Sequence, residues 1–346
     1  MNVRILLVLT SCALSIITGL VIARGGSATD STMRQRPLIG LSMDTLKEER
    51  WQTDRDLFTQ AVQKAGADVL VQSANSNDAV QLQNIESLIT QKVDALVIIP
   101  HDGTAMAKAV HLAHQAGIPV LSYDRLITGC DLDLYLTFDN VKVGELQARF
   151  LTERIPPGGK LRLIRIYGAK TDNNAKLFKQ GQDHILNPLI AAGKVEVLFE
   201  DWAEDWKPEN AKKITNAAIT KVGPHFDAIL ASNDGTAGGA IQALTEEGLA
   251  GKIIVTGQDA DLAACQRIAQ GTQAMTVYKP IQSIATKAAE LALKLARRQP
   301  IIARDAVANG KIDVPSVLLE ITAVTKDNLR DTVVKDGFRK EGEVFQ

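Results

Sequence analysis

Six ionisable residues, far apart along the chain, share one local setting. Arg50, Asp124, Arg125, Asp172, Asp259 and Lys279 each lie in a polar stretch that follows a short apolar run. Asn174, Asn233, Trp51 and Trp206 occupy positions of the same kind. The three cations and three carboxylates cancel. An anionic ligand would require a surplus of positive charge or a phosphate cradle, whereas a neutral ligand rich in hydroxyls would not. A carboxylate accepts two hydroxyl protons at fixed geometry, and arginine and lysine donate to hydroxyl oxygens. Each hydrogen bond to a charged group is worth about 1.5–3 kcal/mol. The opposite charges also neutralise one another once buried. Two tryptophans can cover the C–H faces of a sugar ring, because aromatic rings bury much apolar area. The set reads as a site for a monosaccharide.

Each residue has a plainer structural role open to it. Asn and Asp at a strand–helix junction cap the helix, which is the reading for Asn173, Asn233 and Asp234. A tryptophan can simply pack, and Arg50 can pair with Glu49 in solvent. The collection is what favours a ligand, since nearly every such junction carries a gripping side chain.

Catalysis has little support. Of the five histidines only His101 follows an apolar run, and no serine or cysteine motif accompanies it. His111 and His114 lie three apart without a further ligand and read as surface residues. The run from Gly235 to Gly239 fits neither a dinucleotide fingerprint nor a P-loop; its small residues would let a helix lie close to the sheet. A glycosidase pair of carboxylates is disfavoured by the interleaved cations. No cofactor and no metal are expected.

The elements that must position these residues alternate. Apolar runs at Pro37–Met43, Asp68–Gln72, Ala95–Ile99, Ile118–Leu121, Leu134–Thr137, Leu161–Tyr167, Lys194–Phe199, Asp227–Ala231, Lys252–Thr256 and Ala274–Val277 predict strands. The segments between them predict helices, the first over 53–64, preceded by a polar loop over 44–51. Val317–Leu319 is a last short strand before a polar C-terminus. Strands alternating with helices give parallel sheets covered on both faces, with ligands at the carboxyl ends of the strands. About ten units are too many for one ordinary sheet, and Pro156-Pro157-Gly158-Gly159 is a strong break near the middle. The fold class is α/β, as two doubly wound parallel-sheet lobes; a (β/α)8 barrel is the competing architecture.

The chain has 346 residues, 45% hydrophobic and 23% charged, with a formal net charge of -1. That is a globular composition with no charge-based case for nucleic acid or a membrane surface. Cys12, Cys130 and Cys265 match neither a metal site nor a disulfide framework, and the last two read as small buried thiols rather than a mutual disulfide. Arg4, the apolar run from Ile5 to Ala23 and Gly26-Ser27-Ala28 have the layout of a secretory signal over residues 1–28. An uncleaved anchor, or a lipoprotein box at Leu9–Cys12, is the alternative. In each version the folded part is periplasmic or otherwise extracytoplasmic.

At these residues the chain resembles the type I periplasmic sugar-binding proteins of bacterial ABC transporters. The resemblance runs from Leu38 to Gly342. It rests on Glu49-Arg50-Trp51-Gln52, Val71–Asn75, Val97–Pro100, Tyr123-Asp124-Arg125, Phe138-Asp139-Asn140, Asp172–Phe178, Ala231–Asp234, Gly238–Leu244, Gly257–Leu262 and Met275–Pro280. Trp51, Asn174, Trp206 and Lys279 point to the xylose-binding type. The segment from Arg162 to Lys170 departs from the pattern. The resemblance implies that Arg50, Asp124, Arg125, Asp172, Asn174, Asn233, Asp259 and Lys279 hydrogen-bond the sugar, and that Trp51 and Trp206 sandwich its ring. It implies a three-segment hinge, with crossings near Asn140, near Gln258 to Lys279 and near Leu319. Residues 37–139 plus 280–319 would form the first lobe and 140–279 plus 320–346 the second. The expected partners are D-xylose or a similar monosaccharide and an ABC transporter permease, with the chain acting as a monomer and binding no nucleic acid. The alternative is a sugar sensor subunit read by a chemoreceptor or a membrane histidine kinase. A repressor with a similar core would carry a helix-turn-helix before the first strand, where this chain has its signal sequence.

Overall fold

The computed structural model describes residues 35–346; the signal segment and Cys12 lie outside them. In chain order, β1 (Leu38–Met43), β2 (Asp68–Ser73), β3 (Ala95–Ile99), β4 (Val120–Tyr123) and β5 (Leu134–Phe138) alternate with α1 (Glu49–Lys64), α2 (Asp78–Thr90) and α3 (Ala107–Gln115). Helix α4 (Asn140–Thr152) leads into β6 (Leu161–Tyr167), α5 (Asn173–Ala191), β7 (Val195–Trp202), α6 (Pro208–Val222), β8 (Ala228–Ala231), α7 (Asp234–Glu246) and β9 (Ile254–Val255). Then come α8 (Leu262–Gln270), β10 (Met275–Tyr278), α9 (Ile281–Ala296), β11 (Asp305–Ala308), β12 (Asp313–Leu319), β13 (Thr322–Thr325) and α10 (Glu341–Val344).

Three sheets result. Seven strands run in the order β11-β12-β5-β4-β3-β1-β2, four in the order β7-β6-β8-β9, and β10 pairs with β13. All ladders are parallel except β11 with β12 and β10 with β13. The chain moves from the seven-stranded sheet to the four-stranded one after β5, returns through β10 and α9 to β11 and β12, and leaves again into β13. In both large sheets the strand order reverses, beside β1 in one and beside β6 in the other. Such reversals open a crevice outside the carboxyl ends.

Strand β3 shows why the layers form. Its five residues are all buried, as a central parallel strand requires. Val97 and Ile99 join one core with Phe58 and Val62 of α1 and Ile284, Ala288 and Leu291 of α9. Leu96 and Ile98 face the other way, onto Ile85 and Leu88 of α2 and Val110 of α3. The second sheet repeats this, with Ile164 and Ile166 in one cluster and Leu161 and Leu163 in another.

Several local expectations need correction. Helix α1 begins at Glu49 instead of residue 53, so Arg50 and Trp51 lie in its first turn and not in a loop. The start of the helix buries Arg50, Trp51 and Asp54, a largely polar set with no apolar period to announce it. The caps are Asp172, accepting from Asn174 N, and Asn233, which forms a capping box with Thr236; Asn173 and Asp234 are the first residues inside their helices. Gly239 does allow close approach, but to a helix: a Cβ there would meet the Pro208 carbonyl oxygen at 2.0 Å. Strand β12 begins at Asp313 instead of Val317, and β11 and β13, unanticipated from the sequence, flank it. Cys130 and Cys265 are both buried and free.

Candidate functional site

All ten candidate residues line one cavity, joined by Glu48, Phe178 and Gln258. The contributors stand where strands end. Glu48, Arg50 and Trp51 come from the β1–α1 junction, and Asp124 and Arg125 follow β4. From the four-stranded sheet come Asp172, Asn174 and Phe178 after β6, Trp206 after β7, Asn233 after β8 and Gln258 with Asp259 after β9. Lys279 follows β10.

Two arginines organise the charge. The Arg50 guanidinium donates from Nη2 to Asp124 Oδ2 (3.0 Å), from Nη1 to Asp259 Oδ1 (3.2 Å) and from Nε to Asp54 Oδ2 (3.3 Å). Arg125 Nη1 donates to Asp44 Oδ2 (2.7 Å) and to the Pro100 carbonyl (3.2 Å), and its Nε lies 3.0 Å from Asp172 Oδ2. All of these side chains are buried. Burial alone would raise the Asp124 pKa, yet Arg50, Lys279 and Arg125 together outweigh it and hold the carboxyl below its ordinary value. Asp172 goes the other way: burial raises its pKa, and Arg125 only partly offsets the shift. The Arg50 pKa rises because Asp124, Asp54 and Asp259 outweigh its own desolvation. Lys279 is depressed, chiefly by burial; it is 1% exposed, with its ammonium 5.0 Å above the Phe178 ring and 5.6 Å above that of Phe138.

The amides and aromatics are fixed by hydrogen bonds and stacking. Asn174 Nδ2 donates to Asp124 Oδ1 (3.0 Å) and to its carbonyl (3.1 Å), while Asn174 Oδ1 accepts from Asn140 Nδ2 (2.9 Å). Asp172 accepts from Trp206 Nε1 (3.1 Å) while capping α5. Asn233 caps α7 and lines the cavity at once, so the two readings of this residue coexist. Trp51 lies beneath both guanidinium groups, 4.1 Å from Arg50 and 5.2 Å from Arg125. Trp206 meets Phe178 edge to face at 6.2 Å.

Three lining residues adopt left-handed backbone conformations without being glycine: Asp124 (φ 61), Asp259 (φ 100) and Trp206 (φ 58). Such conformations cost about 1–3 kcal/mol each and collect at functional sites. Room for Trp206 is made by Gly168, whose missing Cβ would lie 2.0 Å from the indole ring. Sequence reasoning missed Glu48, Phe178 and Gln258. Phe178 stands four residues beyond Asn174 on the same helical face, and Gln258 adjoins Asp259, so position carried a signal for both. Glu48 Oε2 and Gln258 Oε1 are buried acceptors without a donor among the described residues.

The arrangement can hold a neutral polyol between paired charges and two indoles. The profile of the periplasmic binding protein domain matches residues 39–300. The D-xylose-binding periplasmic protein of Escherichia coli (strain K12) is 50% identical over 306 residues, covering 88% of this chain and 92% of its own. That of Haemophilus influenzae is 49% identical over 307 residues, covering 89% and 92%. A carbohydrate transporter solute binding protein from Chloroflexus aurantiacus, solved in complex with D-glucose, superposes with a TM-score of 0.84 at 33% identity and covers 89% of this chain and 98% of its own. With its sheets, its cavity and this shared sequence, the chain belongs to the periplasmic binding protein family.

Proposed function

We propose that this chain captures D-xylose, or a similar monosaccharide, in the periplasm and delivers it to an ABC transporter permease. The observation that carries the reading is the buried, charge-paired array of Arg50, Asp124, Asp259, Arg125 and Asp172 beside Trp51 and Trp206. Hydroxyls would exchange with these pairs one for one, and Lys279, Asn174 and Asn233 would complete the set. Glu48 Oε2 and Gln258 Oε1 add acceptors that a hydroxyl would satisfy. The two indoles would take the faces of the pyranose ring.

Residues 37–139 with 280–319 act as one lobe and 140–279 with 320–346 as the other. What supports this division is that each span carries one of the two large sheets. Arg50–Asp259 and Arg125–Asp172 then join the lobes, and hinge closure around the sugar presents a joint surface to the permease. The chain acts by binding alone, as a monomer, and returns its sugar unchanged. A chemoreceptor or membrane histidine kinase would read the same closed surface.

A thermal-shift screen of the chain lacking residues 1–28 against monosaccharides tests this. A ligand at 100 times its Kd adds about 2.7 kcal/mol, a rise of several degrees for lobes of this size. A rise with D-xylose above other sugars supports the reading. A rise with a different sugar moves the specificity, and no rise with any sugar overturns it.

A further inference from the structure

His101 is the one histidine that follows a strand, and the ligand-gripping set does not include it. It sits just past β3, its side chain 11% exposed, with its backbone N–H held by Gln81 Oε1 (2.9 Å). Imidazole Nδ1 lies 3.0 Å from Asp44 Oδ1, and Nε2 lies 3.9 Å from Asp205 Oδ1. Each contact brings a carboxylate oxygen to a ring nitrogen and is strongest when the imidazole is protonated.

The two carboxylates have different duties. Asp44 uses its other oxygen to hold Arg125 at 2.7 Å, and Arg125 in turn holds Asp172 at 3.0 Å. Asp205 precedes Trp206 in a short turn where both residues have positive φ (52 and 58). Its Oδ2 pairs with Lys207 Nζ (2.7 Å) and its carbonyl accepts from Lys47 Nζ (2.8 Å), which leaves Oδ1 for His101.

We propose that His101 is a positioning residue for sugar capture. Its imidazolium bridges Asp44 and Asp205, aligning Arg125 on one side and the Trp206 turn on the other, so that retention of the sugar weakens as this histidine loses its proton. The inference rests on the proposed function, in which Asp44 and Asp205 belong to opposite lobes.

The surrounding charges favour the protonated form. Asp44 raises the His101 pKa above its ordinary value against the desolvation that lowers it, Asp78 adds to the rise, and Arg125 opposes it. Asp102 precedes α3 on the loop that His101 begins. Lys170, Asp201 and Glu204 line the same adjoining cavity as His101 and Asp205. A raised pKa means that the contribution is complete below about 6.5, the unperturbed value, and is lost as pH rises through the folded value.

The test is isothermal titration calorimetry with D-xylose from pH 6 to pH 9, on the wild-type chain, His101→Gln and Asp205→Asn. The wild-type Kd should weaken about two- to fivefold over this range, as expected for a half-screened pair. Both variants should bind more weakly at pH 6 and lose that slope. Asp172 and Asp54 also have raised pKa values, so the difference between wild type and variants decides, and not the slope itself. Asp205→Asn alters an outer turn and leaves Asp44 with its partners, which guards against a misfolded His101→Gln. Wild-type binding with parallel slopes in all three proteins overturns the role of His101. No binding by the wild type at any pH overturns the proposed function itself and the inference with it.

Discussion

Arg50 Nη1 and Asp259 Oδ1 meet at 3.2 Å although 209 residues separate them. One side chain stands in the first turn of a helix on the seven-stranded sheet, the other in a left-handed turn past the four-stranded one. The contact is buried, and it joins the two halves of the cavity.

Removing Asp259 should therefore abolish ligand binding without unfolding the chain. A carboxylate accepting two hydroxyl protons contributes about 1.5–3 kcal/mol per bond, so Asp259→Ala should weaken binding roughly a hundredfold or more. Arg50 would keep Asp124 and Asp54 as partners, which avoids the penalty of a stranded buried charge. Calorimetry with D-xylose, beside a far-ultraviolet circular dichroism melt, checks both parts. Arg125→Ala should lose binding as fully but melt lower, because it takes the arginine partner from buried Asp44 and Asp172. Retained affinity in both variants would sink the site assignment.

Trp206 offers a milder case. Trp206→Ala removes one stacking face and should weaken binding less completely than Asp259→Ala. Gly168→Ala should imitate it without touching the tryptophan, since the new Cβ would collide with the indole and push the ring out of place. Tryptophan fluorescence should change in Gly168→Ala before any ligand is added, and its Kd should rise toward that of Trp206→Ala. An unchanged spectrum and Kd would show that the ring is not held there.

The reach of the sequence is uneven for physical reasons. Parallel strands buried on both faces read as continuous apolar runs, so Ala95–Ile99 and Leu161–Tyr167 were legible to the residue. The gathering of the ten candidate residues at one cavity was legible because strand ends are where polar side chains are otherwise out of place. The start of helix α1 is hard to see in the sequence, since its first turn carries Arg50 and Trp51 to the cavity and shows no apolar stripe. Strands β11 and β13 are short and mostly exposed or half-buried, and they exist only through antiparallel partners in the folded chain. The turn at Asp205 and Trp206 contains no glycine, so nothing in its composition announces positive φ. Glu48 sits in a charged run and is distinguished only by where the first turn of α1 places it.

The two cysteines should be silent toward thiol reagents in the native protein. Burial pushes Cys130 up to about 11 and Cys265 up to about 12, and the thiolate is the reactive form. In the chain lacking residues 1–28, Ellman's reagent should detect neither thiol at pH 8 and both in guanidinium. Substituting either by Ser should leave the Kd unchanged. Rapid native labelling would contradict the packing described for both.

Stability should rise as the pH is lowered from 7 toward about 4, opposite to the usual expectation for carboxylates. Asp54 is pushed up to about 6, first by burial, with Arg50 and Tyr123 working against it. Asp234, fully buried where Gln273, Thr276 and the Asp261 N–H bond its two oxygens, is raised as well, mainly by burial and also by Asp259. In the unfolded chain both titrate near 3.9. Between that value and the raised one the folded state binds more protons, so its stability falls as pH rises. Asp44 and Asp124 are shifted the other way, and their contribution is lost only on further acidification. The two sets together place the maximum near pH 4–5. Calorimetric Tm values measured from pH 3 to pH 8 should trace that maximum, and Asp234→Asn should flatten the limb between pH 4 and pH 7. A Tm that climbs steadily toward pH 8 in the wild type would mean that Asp54 and Asp234 are ionised in the fold, and that their burial is compensated more fully than these contacts allow.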